Sequence, residues 1–194
     1  MDCKKVGDLI YTLRKEKGMT QKEIADLMNI SDRTISKWER GLGCPDVSLL
    51  SDLSQILGVN IEEILLGRVN LNESVGGNMK KIKFYVCPQC GNLLTAASEA
   101  NVSCCGRRLN GLTAEKAPDE HELKVESIED ELYISSDHEM KKDHFISFAA
   151  FATGDKVFLV KQYPEWGLQF RLPRLGHGKL YFYCTKHGLF YQLL

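Results

Sequence analysis

The sequence predicts a multidomain α + β protein: a bundle of five helices first, a small four-cysteine knuckle next, and an antiparallel β-sandwich last. Three observations carry that reading. Apolar residues recur at helical spacing up to residue 67, four cysteines fall in two tight pairs between residues 87 and 105, and short alternating segments parted by turn residues fill the remainder. The 194 residues, 43% hydrophobic and 26% charged, have globular proportions that exclude disordered and fibrous classes. The longest mostly apolar run, 145–152, is far below the roughly 20 residues of a membrane-spanning helix. Met1-Asp2-Cys3-Lys4-Lys5 leads into no apolar export segment, so a cytoplasmic protein with no membrane partner is expected. The net charge of -1 is unevenly spread: residues 1–40 carry nine Lys or Arg and seven acids, whereas 119–143 carry ten acids and three Lys. The basic end is the candidate for phosphate contact.

The first helix is expected over 6–17, where Val6, Leu9, Ile10 and Leu13 share a face and Gly18 supplies a stop. Thr20-Gln21-Lys22-Glu23 is a capping box that starts a short second helix with Ile24, Leu27 and Met28 turned inward. Asn29-Ile30 turns the chain into Ser31, a suitable cap for a third helix from Asp32 to about Glu39. Two short helices joined so briefly form a helix-turn-helix. Segments 48–57 and 60–66 add two amphipathic helices, the second opened by another capping box, Asn60-Ile61-Glu62-Glu63.

From Leu13 to Gly67 the sequence LRKEKGMTQKEIADLMNISDRTISKWERGLGCPDVSLLSDLSQILGVNIEEILLG resembles the DNA-binding domain of Cro/XRE-type regulators. In that family the third helix enters the major groove and the start of the second approaches the DNA backbone. The resemblance implies contacts to a double-stranded operator from Gln21, Asp32, Arg33, Thr34, Ser36 and Lys37. The side-chain chemistry agrees, since Arg33 can fork onto a guanine edge, and Ser31, Ser36, Lys37 and Arg40 suit phosphate oxygens. Asp32 suits a cytosine amine or the orientation of Arg33. Trp38 and Glu39 are expected to be scaffold, with Glu39 pairing Arg14. The alternative is a helical bundle that binds only protein. Regulators of this kind pair on half-sites about 34 Å apart, so a homodimer on a near-palindromic operator is expected.

Domain 1–67 is followed by a segment, 68–82, with several Asn, Gly76-Gly77 and no sustained period, which marks a flexible linker. Its Lys80 and Lys81, and Lys83 just beyond, read as solvated charge. Segment 83–110 holds Cys87-Pro88-Gln89-Cys90-Gly91 and, after thirteen residues counted from Gly91, Cys104-Cys105-Gly106. A segment this short cannot bury a core of its own, and four thiolates on one ion would supply the missing folding energy. Adjacent cysteines cannot both reach relaxed tetrahedral directions, so a distorted site is expected. Both iron and zinc accept four thiolates. The pattern resembles the desulforedoxin-type domain of desulfoferrodoxins, where the ion is iron. Cys3 and Cys44 receive no assigned chemistry.

Domain 111–194 is read as an immunoglobulin-like sandwich with strands over 123–128, 131–135, 145–152, 156–162, 168–172, 179–184 and 189–193. The pieces DHEMKKDHFISF and YCTKHGLFY resemble the iron-binding motifs of superoxide reductase, the catalytic domain of desulfoferrodoxins. That resemblance implies iron held by His121, His138, His144, His187 and the thiolate of Cys184. Neutral imidazoles bind ferrous iron, and an anionic thiolate pushes electron density toward whatever binds opposite it. Superoxide or oxygen is the implied ligand. Two departures stand out. Where the family has Glu-Lys-His this chain has Asp119-Glu120-His121, which inverts a local charge, and Glu139 replaces a usual proline. Asp119 and Glu120 are the candidates for a catalytic or iron-approaching carboxylate, but the acidic field repels an anionic substrate. The leading expectation is a transcriptional regulator with an iron-based redox sensor. The alternatives are an active superoxide reductase carrying a DNA-binding domain, and a DNA-binding protein whose structural zinc module serves dimerisation.

Overall fold

The computed structural model describes residues 1–70 and 78–194, and the chain divides into two compact units at the 71/72 boundary. Residues 71–77 of the expected linker lie outside the described residues. No described helix is long and apolar enough to cross a membrane.

The first unit is a five-helix bundle of α1 (Cys3–Glu16), α2 (Gln21–Leu27), α3 (Asp32–Glu39), α4 (Leu50–Leu57) and α5 (Ile61–Leu66). Helix α1 begins three residues before the expected start because the Asp2 carboxylate accepts from the amides of Lys4 and Lys5 at 3.1 and 3.3 Å. The first capping box forms as expected, with Thr20 Oγ1 taking the Glu23 amide and Glu23 Oε2 taking the Thr20 amide. The second does not: Glu63 instead accepts from the backbone and side-chain amides of Asn70 at 3.0 and 3.3 Å, and Asn60 makes no side-chain cap bond. Helix α4 starts at Leu50 rather than 48, behind a 3-10 turn capped by Asp46. Leu27, expected inside, is 61% exposed on the outer face of α2. The core is built from Val6, Ile10, Ile24, Ile35, Leu53 and Ile64, with Trp38 packed among them.

Helices α1 and α3 approach closely enough that a Cβ on Gly7 would lie 2.0 Å from the Trp38 carbonyl oxygen. Beneath that crossing the expected Arg14–Glu39 pair is bidentate. Arg14 Nε meets Glu39 Oε1 at 2.6 Å and a terminal nitrogen meets Oε2 at 2.9 Å, both side chains being 5% exposed. A disulfide the sequence did not announce joins Cys3 in the first turn of α1 to Cys44 beyond the end of α3.

In the second unit, hairpin β1–β2 (Lys83–Val86, Leu93–Ala96) and hairpin β3–β4 (Val102–Cys104, Arg107–Leu109) carry the cysteines. Two layers follow. One sheet has the order β10-β7-β6 (Leu168–Pro173, Glu131–Ser136, Lys124–Ile128). The other has the order β5-β12-β11-β8-β9 (Ala114–Lys116, Gly188–Leu193, Lys179–Cys184, Ile146–Ala152, Val157–Lys161). The seven expected strands are present with no end shifted by more than one residue. Strand β5 was not foreseen and runs parallel to β12, so the sheet is not wholly antiparallel. Ile134, Leu168 and Leu172 face Ile146, Phe151, Leu180 and Phe182 across the sandwich. The opposite face of the larger sheet is covered too: Phe84 of β1 lies 5.3 Å from both Phe148 and Tyr181. That double burial is why β8 reads as an unbroken apolar run. It also corrects the end of the expected linker, since Ile82 belongs to this second core at 8% exposure.

Candidate metal centres and the helix-turn-helix surface

The four knuckle sulfurs lie within 4.8 Å of one another, with Cys90 and Cys104 at 3.6 Å and the neighbours Cys104 and Cys105 at 4.0 Å. The turns that converge them use left-handed backbone at Gly91 and Gly106, and Cys105 itself sits at φ +50°, an uncommon conformation for a side chain. Backbone amides of Cys90 and Gln89, together with neighbouring thiols, draw the Cys87 thiol down to about 7, whereas bonds with Cys90 and Cys104 push Cys105 up to about 12. Four thiols this close share protons unequally, and a cation is the ordinary remedy for such crowding.

The second cluster is assembled from three parts of the sandwich. The 138–144 loop leading into strand β8 supplies His138 and His144; it is closed by backbone bonds between Lys141 and His144 at 2.9 and 3.1 Å. Strand β11 ends at Cys184, and the turn into β12 supplies His187, with Gly188 at φ +90° paired directly across from Cys184. The β8–β11 register shifts between Tyr183 and Cys184, a bulge of the kind that re-aims side chains beside sites. His121 closes a 3-10 turn held by the Ala117 amide on the Tyr191 carbonyl, and by Gln192 bonding both backbone groups of Leu123.

The four imidazoles form a closed circuit. Ring centres are 4.7 Å apart for His138–His144, 4.8 Å for His144–His187, 4.9 Å for His121–His187 and 6.3 Å for His121–His138. Cys184, 1% exposed, places its sulfur 3.6 Å from His187 Nδ1, which in turn lies 3.1 Å from His121 Nε2. One donor atom from each of His138, His144, Cys184 and His187 falls within 4.8 Å of the others; His121 is outside that group of four, with its Nε2 3.1 Å from His187 Nδ1.

The fit to a metal is visible in the polar atoms left over. His121 Nδ1, both ring nitrogens of His138, and His144 Nε2 are buried without a hydrogen-bond partner among the described residues, a state that costs free energy unless something binds them. Burial also lowers the His138 proton affinity, which favours the neutral, ligating imidazole. His144 Nδ1 lies 2.8 Å from a Glu139 oxygen; with that nitrogen as donor, Nε2 is free to face inward. Bonds from Lys141 and then His144 hold the Glu139 carboxyl down at about 2. The sequence could not show that this carboxylate reaches back to His144. Glu120 is 81% exposed at the side chain and 3.8 Å from His121 Nδ1, and Asp119 is exposed beside it.

On the first unit, Asp32, Arg33, Lys37 and Arg40 lie exposed along α3 and just beyond it, with Thr34 and Ser36 half-buried between them. Ser31 caps the helix through the Thr34 amide at 3.2 Å. Asp32 accepts from the Arg33 backbone amide at 2.8 Å rather than from its guanidinium. Gln21 is drawn inward, its amide donating to Glu39 Oε2 at 2.7 Å.

A family model described as Helix-turn-helix, HTH_3, matches residues 10–64. Among curated relatives, the HTH-type transcriptional activator BcrR of Enterococcus faecalis is 38% identical over 83 residues, 41% of this chain and 41% of that one. The chain thus spans less than half the length of that relative. An uncharacterized HTH-type transcriptional regulator, y4dJ of Sinorhizobium fredii, is 41% identical over 66 residues, 34% of this chain and 86% of its own length. In fold, the chain is similar to the superoxide reductase of Treponema pallidum, with a TM-score of 0.51 and 16% identity over 58% of this chain and 98% of that one.

Proposed function

This chain belongs to the helix-turn-helix family of HTH-type transcriptional regulators, and from that premise we propose a DNA-binding regulator whose second unit holds redox-active iron and reports its oxidation state. The observation that carries the iron is the buried, unpartnered nitrogens of His121, His138 and His144 gathered with His187 and the Cys184 sulfur. Bound iron would supply one-electron exchange with superoxide or oxygen. The chain's own residues do the rest. Burial keeps His138 neutral, Glu139 orients His144, and the core around Cys184 keeps bulk water from its sulfur. The acidic field of residues 119–143 opposes rapid capture of an anion, which favours sensing over turnover. The Cys87, Cys90, Cys104 and Cys105 set takes iron or zinc.

In the first unit, Arg33 reads a base edge while Ser31, Thr34, Ser36, Lys37 and Arg40 serve phosphate, with Asp32 beside them. Gln21 acts through Glu39 as well as by any backbone contact. A homodimer on a near-palindromic operator is the corresponding assembly.

The test is metal content per chain with a visible spectrum, on full-length protein purified without oxygen and then oxidised by titration. Iron at the second cluster, with a thiolate charge-transfer band that appears on oxidation and is lost in Cys184→Ser, supports the reading. Zinc alone, or equal operator binding by reduced and oxidised protein, refutes it.

A further inference from the structure

The first unit carries a cysteine pair that the iron-based reading does not use. We propose that Cys3 and Cys44 are a reversible oxidation site for peroxide-class oxidants, and that their bond tunes how well the helix-turn-helix is poised for DNA. The second half of this inference rests on the DNA-reading function proposed above.

The two residues are 41 positions apart in sequence and bonded, with Cα atoms 4.9 Å apart. Both are partly exposed, so oxidants and exchanging thiols reach them, in contrast to an interior structural bridge. Cys3 is the first residue of a 14-residue helix whose next two amides are taken by the Asp2 carboxylate, which leaves its sulfur free of the helix's own capping bonds; the thiolate is the form that attacks. Lys4 and Lys5 follow it directly.

The chemistry balances without another cofactor. The Cys3 thiolate attacks one peroxide oxygen; an S–O bond forms, the O–O bond breaks, and the departing oxygen leaves as water after taking a proton. Cys44 then attacks the sulfenic sulfur, the S–S bond forms and a second water leaves. Two sulfurs give up one electron each, and the peroxide takes both. A dithiol returns the pair to thiols by exchange.

The bond sits where it can matter for α3. Gly41, two residues past its end, is packed so tightly on α1 that a Cβ would fall 3.0 Å from Lys4 Cα. Trp38 is packed against Gly7, one turn further along α1. Cys3–Cys44 is the covalent end of this seam. It pins the 40–45 turn, including Arg40, to α1, while the apolar core and the Arg14–Glu39 pair join α1 to α3 independently of it. The oxidised domain is the better organised one, so it binds DNA more tightly.

The test uses full-length protein, its Cys3→Ser and Cys44→Ser variants, and a duplex selected from a random-sequence pool by the wild-type protein. Differential alkylation with peptide mass spectrometry follows the pair after dithiothreitol and after hydrogen peroxide, and fluorescence anisotropy follows the duplex. The expected result is a Cys3–Cys44 crosslink that opens and recloses. Wild-type affinity should be about fivefold or more higher in the crosslinked state, the lower end of ordinary couplings. Both variants should sit at the reduced wild-type affinity in either condition. A bond that never opens under dithiothreitol, thiols that peroxide leaves alkylatable, or a redox response that persists in the variants overturns the proposal. Failure of every form to select any duplex refutes the DNA-reading function instead, while the alkylation result still decides the oxidation site.

Discussion

Replacing Glu39 by Ala leaves the Arg14 guanidinium in a place built for a carboxylate. Three bonds of 2.6–2.9 Å converge on Glu39, two from Arg14 and one from Gln21, and the side chains of the ion pair are 5% exposed. Without Glu39, Arg14 keeps the Met19 carbonyl at 2.8 Å and the Tyr11 ring, 5.4 Å from its guanidinium carbon, but no carboxylate. Breaking a buried pair from one side costs about 3–5 kcal/mol. In a domain of this size that lowers Tm by at least about 12 °C. A double replacement of Arg14 and Glu39 by Met removes both charges and is expected to cost far less. Burial raises the Glu39 proton affinity, but the bonds from Arg14 and Gln21 outweigh it and hold the carboxyl below its ordinary value. The pair's contribution is therefore full above the unfolded glutamate range, about pH 4.3. It fades as pH falls through the lower native value, so the gap between wild type and Glu39→Ala narrows in acid. Urea unfolding followed by Trp38 fluorescence, at neutral and acidic pH, measures both effects. A loss under about 1 kcal/mol at neutral pH, or a gap that widens in acid, would refute the buried-pair argument.

Three further outcomes are expected. Glu139→Ala frees His144 to rotate and lowers metal affinity of the second cluster by about 10–100-fold, measured by chelator competition, while Glu139→Gln, which still offers an oxygen acceptor, loses less. Gly7→Ala drives a methyl into the Trp38 carbonyl and costs about 1–3 kcal/mol of first-unit stability by denaturant titration, with the second unit unaffected. Arg33→Ala weakens binding to the selected duplex by about 1–3 kcal/mol and relaxes preference at one base position, whereas Lys37→Ala weakens all duplexes alike and reduces the salt slope, as quantitative anisotropy at several salt concentrations resolves.

Much of the architecture was legible because local chemistry and global packing agree. Thr20 and Glu23 form the box their spacing implies, Ser31 caps α3, and the strand segments sit within one residue of where alternation puts them. The failures have identifiable competitors. Asn60 and Glu63 have capping chemistry, but Asn70 folds back and takes the carboxylate. Asp2 starts α1 early because an N-cap outranks the first apolar residue of a stripe. Strand β5 is short, and its pairing with β12 is non-local, so no period announces it. At the site, cysteine spacing and the resemblance to superoxide reductase motifs pointed to residues of which the fold brings together Cys87, Cys90, Cys104 and Cys105 in one group, and His138, His144, Cys184 and His187 in another. The Glu139–His144 bond and the Cys3–Cys44 bridge depend on where loops turn, which spacing alone does not encode.

The β8–β11–β12 pairing has a consequence for assembly. Leu180, Phe182 and Cys184 face one core while Tyr181 and Tyr183 face the other, because neighbours along a strand alternate sides. A slip of one residue in β11 would send the sulfur to the wrong layer and carry His187 away from the other imidazoles. The donor set thus exists only in the native alignment, joined from the 138–144 loop and the 184–187 turn by the Cys184–Ile146 pairing. Under the proposed function, metal uptake would act as a proofreading step, because an ion held by these donors would favour the correctly threaded sheet over its misaligned competitors.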